Sequence, residues 1–244
     1  MRHRVAHRGY SAVAPENTLP AFAAAVLAGA THVEFDVRTT ADGVPVVIHD
    51  RTVDRTTTGT GHVWDLTFAE VTALDAGSWL SPAYGGTPVP TLTATLDLLA
   101  AAEPELLLEI KRPATLEEVK AIVALVAERD LLPRTIIQSF DPDIVRLARE
   151  VVPDVRRGLL RLRYDAETVP LAVELGVVCC NPSLTDVLTE PATTAALVAA
   201  GIDVLPWTAN DISQWPALAA TGAAGLITDR VAELTAWSTR APRA

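Results

Sequence analysis

The chain has 244 residues, 49% of them hydrophobic, and carries a formal charge of −10 with two cysteines. That length and apolar content suit one large α/β barrel of about 250 residues. The acidic balance argues against a protein that tracks nucleic-acid phosphates or adheres to an anionic membrane surface. Its basic residues are 18 Arg against 2 Lys, so an anionic substrate must be met by a local cluster of positive charge or by a metal, and either lysine is a candidate for function.

Apolar runs with strand character recur at 3–8, 31–38, 106–111, 135–140, 155–160, 177–181, 203–208 and 225–228, each followed by a helical segment. The first helix has Asn17 or Thr18 as cap, Pro20 in its first turn and Gly29 as its stop. Strand two runs into a hairpin: Val33–Thr39 alternates, Asp42-Gly43 turns, and Val44–His49 runs back. The stretch from about Thr40 to Leu92, with its bulk at about 50–90, is too long for a structureless loop. It reads as a small insertion between strand 2 and helix 2 that covers the barrel mouth, with Trp64, Phe68, Trp79 and Leu80 assigned to its packing. Further on, Thr115-Leu116-Glu117-Glu118 has capping-box spacing before a helix that stops ahead of Pro133. Asp141-Pro142 opens the next helix, later ones end at Gly176 and Gly201, and another begins after Asn210.

Strict alternation of strands and helices implies parallel strands joined by right-handed crossovers. The expectation is a single (β/α)8 TIM barrel over 1–244; a doubly wound sheet is the rival, but its glycine-rich fingerprint is missing after the first strand. Adjacent Cys179 and Cys180 read as small hydrophobes on a buried strand, since sequence neighbours rarely reach disulfide geometry. No apolar run approaches the roughly 20 residues of a membrane span, and the first strand begins with no signal segment ahead of it. Both features point to a cytoplasmic protein without stable membrane insertion. Oligomeric state stays open.

The hairpin carries the first chemistry. Glu34 and Asp36 are two apart on a strand and share one face, while Val33, Phe35 and Val37 share the other. Folding back brings His49 opposite Glu34 or Asp36, depending on register. Two carboxylates on one inward face repel each other unless a cation joins them. Glu109 interrupts the apolar run Leu106–Ile110 near its C-terminal end, with Lys111 on the same face and His7-Arg8 at the same end of strand one. Barrel enzymes place their chemistry at that end. Three carboxylates without cysteine favour a hard cation, Mg2+ or Ca2+, over zinc. Arg8 and Lys111 beside it suit a phosphate group. Each residue also has a structural reading: His7 or His49 as a bonded core residue, Glu109 with Lys111 as an ion pair, Glu34 as a water-facing residue on an exposed strand, Trp207 as packing, and Asn17, Thr18 and Asn210 as helix caps. The convergence of His7, Glu34, His49, Glu109 and Lys111 on one rim favours function.

The spaced motifs His7-Arg8-Gly9, Pro15-Glu16-Asn17-Thr18, Glu34-Phe35-Asp36, Asp42-Gly43 and His49-Asp50 closely resemble the signature of the glycerophosphodiester phosphodiesterase family. Arg55-Thr56-Thr57 with Gly59 and Gly61, then Glu109-Ile110-Lys111, Gln138-Ser139-Phe140, Trp207-Thr208-Ala209-Asn210 and Ile227-Thr228-Asp229-Arg230, extend the likeness from His7 to Arg230. The resemblance implies His7 and His49 as an acid/base pair and Glu34, Asp36 and Glu109 as ligands of a divalent metal. It also implies Arg8 and Lys111 near the phosphate and Trp207 along the glycerol pocket. Ala209 departs from the family's larger aliphatic residue and touches only pocket shape. The implied reaction converts a small glycerophosphodiester to sn-glycerol 3-phosphate and an alcohol. The alternatives are a lysophospholipase D acting on lysophospholipids, a catalytically silent barrel, and a sugar-metabolising barrel enzyme. The last is disfavoured because Glu34 and Asp36 stand too close for a glycosidase pair.

Overall fold

A computed structural model describes residues 1–240. Its strands are β1 (His3–Ala6), β2 (His32–Thr39), β3 (Pro45–Val47), β4 (Glu105–Ile110), β5 (Thr135–Ser139), β6 (Arg156–Arg161), β7 (Cys179–Pro182), β8 (Asp203–Val204) and β9 (Gly225–Thr228). All but β3 form a parallel sheet in the order β8-β7-β6-β5-β4-β2-β1-β9. Its two edges meet where the Ala224 and Ile227 amides donate to the Val204 and Pro206 carbonyls, both at 3.0 Å, so the eight strands form a nearly closed TIM barrel. The barrel and the insertion after strand two are as the alternation predicts. Strand β8 is shorter than 203–208: the Leu205 and Trp207 amides still donate to the Cys180 and Pro182 carbonyls of β7, but Pro206 has no N–H to offer β9. Two helices, Leu184–Thr189 and Pro191–Ala199, stand between β7 and β8 where one was expected, and Pro191 starts the second.

Alternation along each strand sorts side chains into two layers. Val33, Phe35 and Val37 of β2, with Leu106 and Leu108 of β4, pack outward against helices that supply Phe22, Leu96, Val119 and Ile122. Val5, Leu107, Ile136, Cys179, Leu205 and Ile227 fill the barrel interior instead. Each fully buried aliphatic side chain contributes about 1.5–3 kcal/mol. The helices are fixed by local signals: Thr115 and Glu118 form the expected capping box before Leu116–Ala127, and the Asp141 carboxylate caps Pro142–Val151. Thr18 precedes the first helix, Leu19–Leu27, but makes no side-chain cap.

The hairpin forms as read, with Val37 opposite Val47 and Gly43 in the turn at φ +82°. Its register differs from the expectation for His49. Ile48 donates its amide to the Asp36 carbonyl, so Ile48 faces Asp36 and His49 lies one residue past the ladder. In the insertion, Val46, Ile48, Val53, Val63, Val71, Ala76 and Val89 make the core. Trp64, Phe68, Trp79 and Leu80 are 37–41% exposed, which corrects their assignment to packing. Branched aliphatics fill this small layer, and the large side chains lie at its surface.

The two barrel ends both carry charge. At the N-terminal end of the strands, His32 is buried, with its Nε2 3.1 Å from Glu105, which also pairs with Arg156. Beside it, His3 and Arg2 both pair with Asp203. Cys179 and Cys180 are free and buried, and burial pushes both thiols up to about 12. No helix among the described residues is long and apolar enough to cross a membrane.

Candidate active site

After β1 the backbone turns sharply, with Arg8 at φ +55° and Gly9 at φ +82°. Left-handed backbone at a non-glycine residue such as Arg8 costs about 1–3 kcal/mol and is held only by its surroundings. A Cβ on Gly9 would stand 2.7 Å from the Ala21 backbone, so this turn requires glycine. The turn aims the Arg8 amide at Glu34 Oε2, 2.9 Å away, while the Arg8 guanidinium pairs with Glu16 at 2.8 Å and lies 3.4 Å from Asp36.

Strands β2 and β4 pair so that Asp36 stands beside Glu109, with Glu34 one step below on the same face. One carboxylate oxygen from each of Glu34, Asp36 and Glu109 lies within 4.8 Å of the other two, and all three side chains are buried. Lys111 Nζ reaches Asp36 at 2.9 Å and Glu109 at 2.6 Å. The Glu109–Lys111 ion pair therefore exists, but it is part of a larger cluster. Burial, then the charges of Asp36 and Glu109, pushes Glu34 well above the ordinary carboxylate range. Burial likewise raises Glu109 to about 7 against the pull of Lys111. Burial acts on Asp36 in the same direction, yet Lys111, Arg8 and His49, with the Asn17 amide, hold it far below its usual value. The cluster thus gathers three buried carboxyl groups around two cations, Arg8 and Lys111. All its donors are oxygens, the set a hard divalent cation prefers, so these residues fit a metal.

Two imidazoles flank the cluster. His7 Nδ1 lies 2.7 Å from Asp229 Oδ1, and Asp229 Oδ2 accepts from the Asn210 amide at 2.6 Å. His49 Nδ1 lies 2.6 Å from Asp50, which Arg55 ties to Glu16. Among the described residues neither Nε2 has a protein hydrogen-bond partner, and both rings line one cavity of about 280 Å³ with Arg8, Glu34, Glu109 and Lys111. Burial lowers His49 below the ordinary imidazole value although Asp36 opposes it. Trp207 closes another wall of that cavity, fixed by its Nε1 donating to the Asn181 carbonyl at 2.8 Å and by edge contact with Phe140.

All eight residues singled out in the sequence therefore line or border one cavity. Most of their supports carry no such signal in the sequence. Asn17 is buried and donates to Asp36 Oδ2 at 2.7 Å while its Oδ1 accepts the Asp36 amide at 3.2 Å, so it orients a carboxylate and caps no helix. Asn210 braces Asp229, and the cap of the short turn Ile212–Gln214 is Asp211. Asp50, adjacent to His49, and Glu16, close in sequence to the first-strand loop and paired with Arg8, had a local signal.

A metal-fitting carboxylate cluster with two carboxylate-held histidines at the C-terminal mouth of a barrel defines a hydrolase-type site. Comparison with known proteins makes the class specific. Residues 7–233 match the glycerophosphoryl diester phosphodiesterase family. A glycerophosphodiester phosphodiesterase from Caldanaerobacter subterraneus is 34% identical over 228 residues, covering 92% of this chain and 93% of that protein. An Oleispira antarctica phosphodiesterase, solved in complex with the product sn-glycerol-3-phosphate, superposes with a TM-score of 0.90 at 29% identity, covering 96% of each chain. A glycerophosphodiester phosphodiesterase from Agrobacterium tumefaciens gives 0.84 at 29% identity, covering 97% of this chain and 100% of that one. The chain belongs to the glycerophosphoryl diester phosphodiesterase family and is an enzyme, a phosphoric diester hydrolase.

Proposed function

We propose that this enzyme hydrolyses glycerophosphodiesters to sn-glycerol 3-phosphate and an alcohol, with one divalent cation, Mg2+ or Ca2+, and a histidine pair. The observation that carries the reading is the placement of two cavity-facing imidazoles, each held by a carboxylate at Nδ1, on either side of three buried carboxylates. Glu34, Asp36 and Glu109 hold the cation, which when bound neutralises phosphate charge and favours ionisation of the attacking hydroxyl. Arg8 and Lys111 bind phosphate oxygens, and Trp207 forms the wall against which the glycerol carbons lie. One of His7 and His49 takes the proton from the attacking hydroxyl through Nε2. The other protonates the departing alkoxide. Asp229 and Asp50 fix the rings at Nδ1, so that each Nε2 is presented to the cavity. General acid–base action of this kind contributes about 10²–10⁴-fold per group.

The test is release of glycerol 3-phosphate from glycerophosphocholine and glycerophosphoethanolamine by wild type, His7→Ala and His49→Ala. Loss of about 10²-fold or more in either variant, with unchanged melting, is expected. Near wild-type turnover in one of them would remove that histidine from the mechanism.

A further inference from the structure

The cavity that holds the histidines opens through His49, Glu109, Lys111, Phe140 and Leu160 into a larger outer one of about 540 Å³. Its wall gathers Arg38, Arg51, Arg112, Arg161 and Arg163 from three separate parts of the chain. Of these, only Arg161 has a carboxylate partner among the described residues, Asp165 on the same rim. Arg38 spends Nε on the His49 carbonyl at 2.9 Å and one Nη on the Arg112 carbonyl at 3.2 Å, and has no acid. Arg51, Arg112 and Arg163 are exposed and form no ion pair among the described residues. In a chain of net charge −10, four guanidiniums without acids around one opening run against the composition. The other surface arginines, such as Arg146 with Asp143 and Glu174, are mostly paired.

Position gives this cluster its meaning. On the proposed reading the inner cavity takes the scissile phosphate and glycerol, and the leaving alcohol extends into the larger cavity that shares its wall. Planar guanidiniums match phosphate oxygens two at a time. We propose that the outer cavity is the subsite for the leaving alcohol and selects diesters whose alcohol bears a second phosphate. This inference rests on the phosphodiesterase reading. In the reaction the P–O bond to that alcohol breaks, a hydroxyl takes its place on phosphorus, and the alcohol leaves with one added proton and its own phosphate ester intact. A cationic headgroup such as choline meets like charge there and gains nothing.

The experiment compares kcat/KM for glycerophosphoglycerol, the same diester phosphorylated on its terminal hydroxyl, glycerophosphoserine and glycerophosphocholine, in wild type and in the Arg51→Gln/Arg163→Gln double variant. Both residues are exposed, so folding is expected to be unaffected, as a melting curve will show. The phosphorylated diester should exceed glycerophosphoglycerol by about 10-fold or more, the scale of one or two charge-assisted hydrogen bonds. The double variant should shrink that advantage to less than about 3-fold and leave glycerophosphoglycerol unchanged. Equal rates for the two diesters, or a double variant that slows both alike, would overturn the subsite while the phosphodiesterase reading stands. Glycerophosphoserine equal to the phosphorylated diester would overturn the choice of phosphate. No hydrolysis of any of the four would sink the phosphodiesterase reading and the subsite with it.

Discussion

The two ends of the barrel use similar residues to opposite ends. At the N-terminal rim, His3, His32, Arg2 and Arg156 meet two acids, Glu105 and Asp203, each partly open to solvent. Charges there pair off, and His32 is kept neutral by burial and by neighbouring His3. At the C-terminal rim, three acids crowd together in full burial, and the histidines are anchored only on the side away from the cavity. The first arrangement satisfies its own charges and contributes to stability. The second crowds three carboxyl groups around two cations and leaves both Nε2 atoms facing a cavity, which suits the proposed cation and anionic substrate. Charge type therefore does not distinguish a structural cluster from a working one; compensation and the direction of the free donor atoms do.

The comparison can be broken at several points. The largest effect is expected from Asp229→Asn, which leaves His7 without the carboxylate that orients it. A fall in kcat of about 10²–10⁴-fold with little change in KM and an unshifted denaturation midpoint would place Asp229 in the working end. A drop in stability with activity intact would make it structural. Next, the N-terminal rim should reveal itself through pH. The folded protein holds His32 at about 4, below its ordinary 6.5, so on acidification the unfolded chain takes up the proton first. The stability it contributes is therefore present above about pH 6.5 and lost as pH falls toward about 4, on the order of 1–3 kcal/mol. Urea midpoints measured from pH 7 to 4 should follow that course, and His32→Gln should flatten it. An unchanged slope would show that another group is responsible. The smallest effect concerns the crowded end: Glu34→Gln keeps the acceptor for the Arg8 amide but removes a buried acid. In EDTA at pH 8 the variant should be more stable than wild type by about 1 kcal/mol, although inactive. A lower melting temperature would mean the carboxylates are not in conflict.

What could be read from the sequence follows the range of each interaction. Glu34 and Asp36 share a face by strand periodicity alone, and Glu109 stands out because it interrupts an apolar strand. Capping at Thr115 and Asp141 is equally local. By contrast, the Asn17–Asp36 and His7–Asp229 contacts span 19 and 222 residues, so Asn17 could be read only as a cap within a motif and Asp229 only as part of one. His49 slipped past the ladder because a hairpin's alternation does not state where pairing stops. The outer arginines were invisible for the same reason: residues 38 and 51, 112, and 161 and 163 come from three separate parts of the chain and meet only when the barrel closes.

On the proposed function, a divalent cation completes the C-terminal cluster. The most direct measurement is glycerol 3-phosphate release from glycerophosphocholine by protein stripped with EDTA, dialysed, and then titrated with Mg2+ or Ca2+. Stripped protein is expected to be inactive, one of these ions should restore turnover near one equivalent of bound metal, and Glu34→Ala should not be restored. Full activity in the stripped protein, with residual metal far below the protein concentration, would contradict the cation's role.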